Sequence, residues 1–285
     1  MKTILAPTDF SDTATHAAEY AYDLVKQLKA KLILCNAFIV PAEIPEAGMV
    51  VWPMDDYQHI MDDSLAELEK LAARLQSKES NDDVKPKVTC INEMGDFNSV
   101  LKQVIENSHV DMIVMGTHGR GLSKFLLGNH AKGAINYASK PLLLIPPKVA
   151  IKPIKKIAFA TDFKHPEEDL KFVYELIPFA RMLDAEILIT HIAKGKEHAD
   201  GFKTLIGPFM TDLSNKSNYS HIYYRICEGE KPDDGLNWLC VHGHVDILAM
   251  VHHSHSFLHG LLNGSVTQKM ANKIEIPLLV FHAQN

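Results

Sequence analysis

Residues 110–146 read VDMIVMGTHGRGLSKFLLGNHAKGAINYASKPLLLIP, a stretch in which two apolar segments flank a glycine-rich one. The run from Val110 to Met115 contains β-branched residues between polar neighbours, which predicts a strand buried on both faces. Gly116 and Gly119 end that run. Gly128-Asn129 follows, and because Asn is a favourable N-cap, it predicts a helix that begins near His130.

This order of elements suits the binding of an anion. The free N–H groups and the positive dipole end of a helix N-terminus attract phosphate oxygens. Glycine has no Cβ, so its backbone can approach a ligand closely. The stretch therefore predicts a cradle of main-chain amides at the carboxyl end of a buried strand.

The composition is that of a globular protein of one large or two ordinary domains, with 285 residues, 46% hydrophobic and 22% charged. A formal charge of -6 argues against a nucleic-acid binder, which needs clustered Lys and Arg. No apolar run approaches the roughly 20 residues of a membrane span, and the N-terminus turns polar at Thr8-Asp9, unlike a signal peptide. The four cysteines (Cys35, Cys90, Cys227 and Cys240) form no CxxC pair, so we expect reduced thiols in a cytoplasmic protein.

The chain contains an internal duplication. Segments of the first half recur in the same order in the second: 2–10 at 155–163, the second strand at 185–191, 110–115 at 245–250, and 141–144 at 277–280. Such ordered self-similarity indicates a tandem repeat. We expect one domain at 1–147 and another at 154–285, joined by a linker at 148–153.

Each copy alternates predicted strands and helices, which indicates an α/β fold with a mostly parallel, five-stranded sheet in each domain. Ligands of such open sheets bind beyond the carboxyl ends of the strands, where the strand order reverses. Thr8-Asp9 follows the first strand and Gly116 follows the fourth, so both are expected at one pocket. The segment 40–56 is irregular and apolar, and is interpreted either as a lid or interface or as a loop packed on its own domain.

With these residues in view, the whole chain resembles the universal stress protein family in its tandem two-domain form. Nucleotide-binding members carry Gly, two residues, Gly, nine residues, then Gly with Ser or Thr, and an Asp after the first strand. Here Gly116 and Gly119 match the pattern. However, eight residues instead of nine separate Gly119 from Gly128, and Asn129 replaces the Ser or Thr. The resemblance implies a Rossmann-like fold of the adenine nucleotide alpha hydrolase type.

The resemblance also implies a site in the first domain. Asp9 would lie near the ribose or a phosphate-bound metal ion, backbone around Ala37 and Phe38 would meet adenine, and the glycine segment would wrap the phosphates, with Arg120 adding charge. Alternatively, Asp9 is the N-cap of the first helix and the glycines are plain turn residues. The implied nucleotide-binding set is Pro7, Thr8, Asp9, Ala37, Phe38, Met115, Gly116, His118, Gly119, Arg120, Gly128, Asn129 and His130.

The second copy keeps the other part of the motif. It has Gly264-Ser265 at the family spacing, but Val251 and Ser254 replace the two turn glycines, and a β-branched Val crowds the place of a phosphate. The counterpart site, predicted to be weaker, comprises Thr161, Asp162, Gly264, Ser265, Val266 and Thr267.

Several histidines cluster after the predicted fourth strand of the second copy. If its fourth strand ends at Met250, then His252, His253 and His255 fall on the pocket loop and could bind zinc or a polar ligand. Their spacing matches no structural zinc motif, so surface histidines without a ligand are the preferred interpretation.

The leading functional hypothesis is a cytoplasmic stress-response protein that binds ATP, ADP or AMP with Mg²⁺ and acts as a sensor or regulator. The alternatives are a scaffold or ligand-binding protein without nucleotide and, less favoured, a slow ATPase. By the same resemblance the strands at 141–146 and 277–282 pair across the two domains. We also expect a further dimer of chains.

Overall fold

The computed structural model describes residues 2–39, 54–77, 85–117, 140–193, 196–253 and 275–283. The first half runs β1 (Thr3–Pro7), α1 (Asp12–Leu28), β2 (Lys31–Phe38), α2 (Met54–Ser77), β3 (Val88–Met94), α3 (Phe97–Asn107), β4 (Met112–Gly116) and β5 (Leu142–Ile145). The second half runs β6 (Lys156–Ala160), α4 (Pro166–Leu183), β7 (Glu186–Ala193), α5 (Lys196–Lys216), β8 (Ile222–Glu228), α6 (Pro232–His242), β9 (Ile247–His253) and β10 (Leu278–Ala283). The predicted alternation of strands and helices is confirmed.

The strands form one ten-stranded sheet in the order β3-β2-β1-β4-β5-β10-β9-β6-β7-β8. Each half contributes five strands, and the order within one half mirrors the order within the other. The halves meet where β10 pairs antiparallel with β5, with Leu279 opposite Leu143. This confirms the predicted pairing of the last strand of each copy.

All the other strand pairs are parallel. Because β5–β10 is the only antiparallel pair among the described strands, the strands of the two halves run in opposite directions. The carboxyl ends of β1–β5 therefore lie on one side of the sheet, and those of β6–β10 lie on the opposite side, where the amino ends of β1–β5 are.

Helices cover both faces of the sheet, as the apolar strands require. One buried cluster combines sheet residues with α1, α2, α4 and α5, and the other combines sheet residues with α3 and α6. Across the junction α1 contacts α4, so the halves share a helical layer as well as a sheet. Gln27 of α1 also accepts a hydrogen bond from the amide of Ile154, which follows the linker, at 3.3 Å.

An aspartate before the fourth strand of each half fixes the start of the first strand. Asp111 Oδ2 accepts hydrogen bonds from the amides of Lys2 (2.5 Å) and Thr3 (3.0 Å). In the second half, Asp246 Oδ2 accepts from the amides of Lys155 and Lys156 at 2.8 and 2.9 Å. The repeat thus extends from the sequence to individual side-chain contacts.

Some predicted boundaries were wrong by a few residues. Helix α2 begins at Met54, inside the segment 40–56 that was interpreted as irregular. The largest correction concerns β9, which continues to His253, because β10 offers it a partner as far as the pair His253–Ala283. His252 and His253 therefore belong to a strand and not to the predicted pocket loop.

None of the helices in the described ranges is long and apolar enough to cross a bilayer.

The partly buried His282 makes stability depend on pH. Burial lowers its pKa from 6.5 to about 4. Between these pH values the unfolded chain binds a proton that the folded chain does not, so the stability present above pH 6.5 falls as the pH drops towards 4. Acidification from pH 7 to 5 should lower the free energy of unfolding by on the order of 1–2 kcal/mol through this group.

Urea unfolding at both pH values, compared with a His282→Asn variant, checks this expectation. The variant should lose that share of the pH dependence. An identical pH dependence in the two proteins would contradict it.

Candidate functional site

The site lies where the strand order of the first half reverses, between the adjacent parallel strands β1 and β4. The register pairs Leu5 with Ile113, so Pro7, the last residue of β1, lies beside Met115, and β4 ends one residue later at Gly116. Open α/β sheets bind ligands in the crevice beyond such strand ends. The structure thus brings the predicted Pro7–Asp9 and Met115–Gly116 segments together.

A buried polar residue of β2 holds the turn after β1. The amide of Thr8 donates to the carbonyl of Cys35 at 2.8 Å, and the Asn36 side-chain amide donates to the carbonyl of Thr8 at 2.8 Å. Thr8 and Asn36 are 6% and 7% exposed, so both bonds are shielded from water. Asn36 was not among the predicted site residues, although a lone Asn inside the apolar strand KLILCNAF is a signal for such a role.

The chain then turns sharply, which exposes Asp9. Phe10 adopts a left-handed backbone conformation with φ of 63°, and its amide donates to Thr8 Oγ1 at 3.0 Å. Asp9 Oδ1 accepts from the amide of Ser11 at 3.1 Å and from its hydroxyl at 2.6 Å. Among the described residues, Asp9 Oδ2 accepts no hydrogen bond, so one oxygen of this exposed carboxylate is available to a ligand.

Asp9 is not the N-cap of the first helix, which corrects the alternative weighed from the sequence. Ser11 is the N-cap of α1, and its hydroxyl accepts from the amide of Ala14 at 3.3 Å. Ser is among the preferred N-cap residues, and here it also binds the Asp9 carboxylate. Asp9 is thus free of the helix and anchored beside it.

Gly116 is required for packing and not only for a turn. A Cβ at this position would lie 2.5 Å from the main-chain carbonyl oxygen of Thr13, in the first turn of α1. The glycine therefore allows the N-terminus of α1 to rest against the end of β4. Since α1 begins at the same crevice, this contact also determines where its first amides lie.

The hydrogen bonding of β4 with β5 continues to Thr117. The amide of Thr117 donates to the carbonyl of Ile145 at 2.8 Å, and the residue is 6% exposed. The rest of the predicted phosphate cradle, namely His118, Gly119, Arg120, Gly128, Asn129 and His130, lies outside the described residues.

The predicted adenine-binding backbone lies at the end of β2. Ala37 is half-buried and Phe38 is buried, and the carbonyl of Phe38 accepts from the amide of Gly95 at 3.0 Å. Ile39, which follows, is 65% exposed although it is a large hydrophobic residue. The end of β2 thus presents an apolar side chain at the same edge of the sheet as Asp9.

The second half repeats the turn, but there a lysine side chain binds the aspartate. Phe163 has φ of 58°, and its amide donates to Thr161 Oγ1 at 2.9 Å, as Phe10 does to Thr8. Lys164 stands where the first half has Ser11. Asp162 Oδ1 accepts from the Lys164 amide at 3.0 Å, and Oδ2 accepts from its ammonium group at 2.7 Å.

This ion pair changes the electrostatics of the second crevice. The hydrogen bond and the charge of Asp162 raise the pKa of Lys164, so the pair remains ionised and internally neutral. Both carboxylate oxygens are engaged, in contrast to Asp9. Lys164 was not among the predicted site residues, although an alignment of the two copies shows a Lys in the place of Ser11.

Asp169 and His191 hold the turn after β6 through Thr161. The Thr161 hydroxyl donates to the carboxylate of Asp169, which is buried in α4. The ring of His191 bonds the carbonyl of Thr161 through Nδ1 at 2.9 Å, in the position that Asn36 holds in the first half. A carbonyl accepts only from a protonated nitrogen, so His191 carries its proton on Nδ1.

The other predicted residues of the second half are only partly described. Gly264, Ser265, Val266, Thr267 and His255 lie outside the described residues. Val251 is part of β9 and pairs with Phe281, so the residue that replaces the first turn glycine is in an extended strand. Within the described ranges, no group of three His, Cys, Asp or Glu residues is placed to hold a metal ion.

Together these features define a tandem α/β protein with a mostly parallel sheet and one crevice per half. Residues 1–146 match the model of the "Universal stress protein family". The chain therefore belongs to the universal stress protein family, and it has the family's tandem two-domain architecture.

Individual relatives and solved structures are similar to this chain. Universal stress protein MJ0577 of Methanocaldococcus jannaschii is 30% identical over 155 residues, which cover 50% of this chain and 94% of that protein. The crystal structure of a universal stress protein from Archaeoglobus fulgidus covers 98% of this chain and 97% of its own, with a TM-score of 0.73 and 18% identity. A universal stress protein solved in complex with cAMP covers 50% of this chain and 96% of its own, with 21% identity and a TM-score of 0.38.

Replacing Gly116 should damage the fold before it affects any ligand. In Gly116→Ala the new Cβ meets the backbone of α1 rather than a flexible side chain. We expect a loss of about 1–3 kcal/mol in the free energy of unfolding, as for overpacked sites. Chemical denaturation measures it.

Gly207→Ala is the matched control. Gly207 lies in α5, where an added Cβ meets nothing within 4 Å outside its chain neighbours. Because Pro208 follows and disfavours a helical residue with a Cβ before it, the helical gain of Ala is offset, and this change should alter the stability by less than about 1 kcal/mol. Equal stability of the Gly116→Ala variant and the wild type would show that the Thr13 contact does not constrain the crevice.

Proposed function

We propose that the first half binds an adenine nucleotide, ATP or its products ADP and AMP, together with Mg²⁺, and that the protein acts as a sensor or regulator in a cytoplasmic stress response. In this proposal the domains are residues 1–147 and 154–285. The observation that carries it is the exposed carboxylate of Asp9, which keeps one oxygen available at the strand-order reversal.

The chemistry of the crevice suits this ligand class. Carboxylate oxygens are preferred Mg²⁺ ligands, and Mg²⁺ is commonly held by one or two carboxylates plus substrate phosphates. The first amides of α1 and the Asp9 carboxylate lie at the same strand ends, so a phosphate and its metal ion can be bound side by side. The ligand class itself follows from membership of the family and from the glycine motif that begins at Gly116.

The two halves should differ in this function. In the second half the ammonium group of Lys164 binds the carboxylate of Asp162, and Val251 stands in the place of the first turn glycine. We therefore assign nucleotide binding to the first half and expect about one nucleotide per chain. A regulatory role suits this site better than turnover, because Asp9 can neutralise charge and the described residues of the crevice place no base that would position a water.

Isothermal titration calorimetry with ATP and Mg²⁺ tests the proposal. Asp9→Asn keeps an acceptor for Ser11 but removes the charge, so binding of the ATP–Mg²⁺ complex should weaken roughly ten-fold, or about 1.4 kcal/mol. The difference should shrink when Mg²⁺ is omitted.

Asp162→Asn is the matched control in the second half, and it should leave the affinity unchanged. Native mass spectrometry of the purified protein gives an independent reading of bound nucleotide. If the wild type binds no ATP, ADP or AMP at millimolar concentration, the proposal fails and a scaffold role without nucleotide replaces it. A turnover assay with Asp9→Ala as control separates slow ATP hydrolysis from contaminating activity.

A further inference from the structure

Strand β8 ends the sheet on the side of the second half, and its outer edge is unpaired among the described residues. The carbonyl of His221 accepts from the amide of Ile187 at 2.8 Å, and the amide of Gly229 donates to the carbonyl of Ala193 at 3.0 Å. Peptide groups alternate in direction along a strand. The odd-numbered residues of β8 thus face β7, and the even-numbered ones direct their N–H and C=O groups to the open edge.

The side chains on this edge are unusually apolar for an exposed strand. Tyr223 and Tyr224 are 48% and 53% exposed, although they project from opposite faces of the sheet. The strand contains no proline and no lysine, which proteins commonly use to protect edges from pairing. Arg225 is its only basic residue.

The opposite edge of the sheet is different. In β3 the Asn92 side chain donates to the carbonyl of Met61 at 3.0 Å and to the hydroxyl of Ser64 at 2.8 Å, so helix α2 is tied to this strand. No side-chain hydrogen bond joins β8 to α5 among the described residues. Strand β3 likewise contains no proline or lysine, but its exposed side chains are Thr89, Glu93 and Met94, so β8 is the end strand that exposes two aromatic side chains.

We propose that β8 pairs antiparallel with β8 of a second copy of this chain, with Tyr224 on the two-fold axis. In this register Tyr224 faces Tyr224, and Ile222 faces Ile226. Each of these residues directs its peptide groups outward, so each pair can exchange both backbone hydrogen bonds of an antiparallel ladder.

The side chains match in the same register. On the face that carries Tyr224, an aromatic pair lies between two Ile–Ile pairs. On the other face Tyr223 lies opposite Arg225 in both symmetry-related positions, which allows two cation–π contacts. The interface is self-complementary, as an isologous dimer requires.

Competing arrangements are less favourable. A register centred on Arg225 would place two like charges directly opposite each other, which destabilises a strand pair. Pairing of β8 with β3 of another chain would be heterologous and would form open-ended chains. The two-fold register centred on Tyr224 avoids both.

Sedimentation velocity on the full-length chain tests the proposal. The wild type should sediment as a dimer of the 31.9 kDa chain at micromolar concentration. Tyr224→Lys places two ammonium groups on the axis and should give a monomer. Met94→Lys, at a 57% exposed position on the β3 edge, is the matched control and should remain dimeric.

Cross-linking tests the register independently. Cα atoms of a hydrogen-bonded antiparallel pair are about 5.5 Å apart, within the range of a disulfide. Oxidation of Tyr224→Cys should therefore yield covalent dimer on a non-reducing gel, whereas Arg225→Cys and the wild type should not. A monomeric wild type, a dimeric Tyr224→Lys with native circular dichroism, or efficient cross-linking of Arg225→Cys would each overturn the proposal.

Discussion

The antiparallel ladder between β5 and β10 is the contact on which the architecture depends. Leu142–Leu144 and Leu278–Val280 are at most 2% exposed, and neither strand could be this apolar at a free edge. Each such side chain contributes roughly 1.5–3 kcal/mol by leaving water. Because the strand direction reverses at this ladder, the two crevices lie on opposite sides of the sheet, each at the carboxyl ends of the strands of its own half. The ladder leaves β3 and β8 as the ends of the sheet.

Much of the fold could be predicted from the sequence because its signals are local. Apolar runs between polar turns predict strands, and the repeat gives the same strand and helix order twice. The end of β9 could not be predicted in this way, because His252 and His253 are extended only through their ladder with β10. Similarly, the contact between Gly116 and Thr13 joins residues far apart in the chain, so the glycine alone could not reveal which backbone it accommodates.

The candidate site was predicted in part. The position of Asp9 after a strand is a local feature, and the order of the strands puts it beside β4. The state of its carboxylate is not a local feature, since it depends on whether Ser11 or Lys164 follows two residues later and on where that side chain turns. The roles of Asn36 and His191 likewise required the register between neighbouring strands, which sequence patterns do not determine. The identity of the bound nucleotide rests on the family and not on the described geometry.

The covalent fusion of the two halves has an evolutionary consequence. In a dimer of identical subunits every substitution appears in both crevices at once, so neither can change without the other. Here Lys164 neutralises one aspartate while Ser11 leaves its counterpart accessible. A single gene can therefore retain one crevice under selection for a ligand while the other drifts or specialises, and the shared sheet preserves the pseudo-symmetric frame around both.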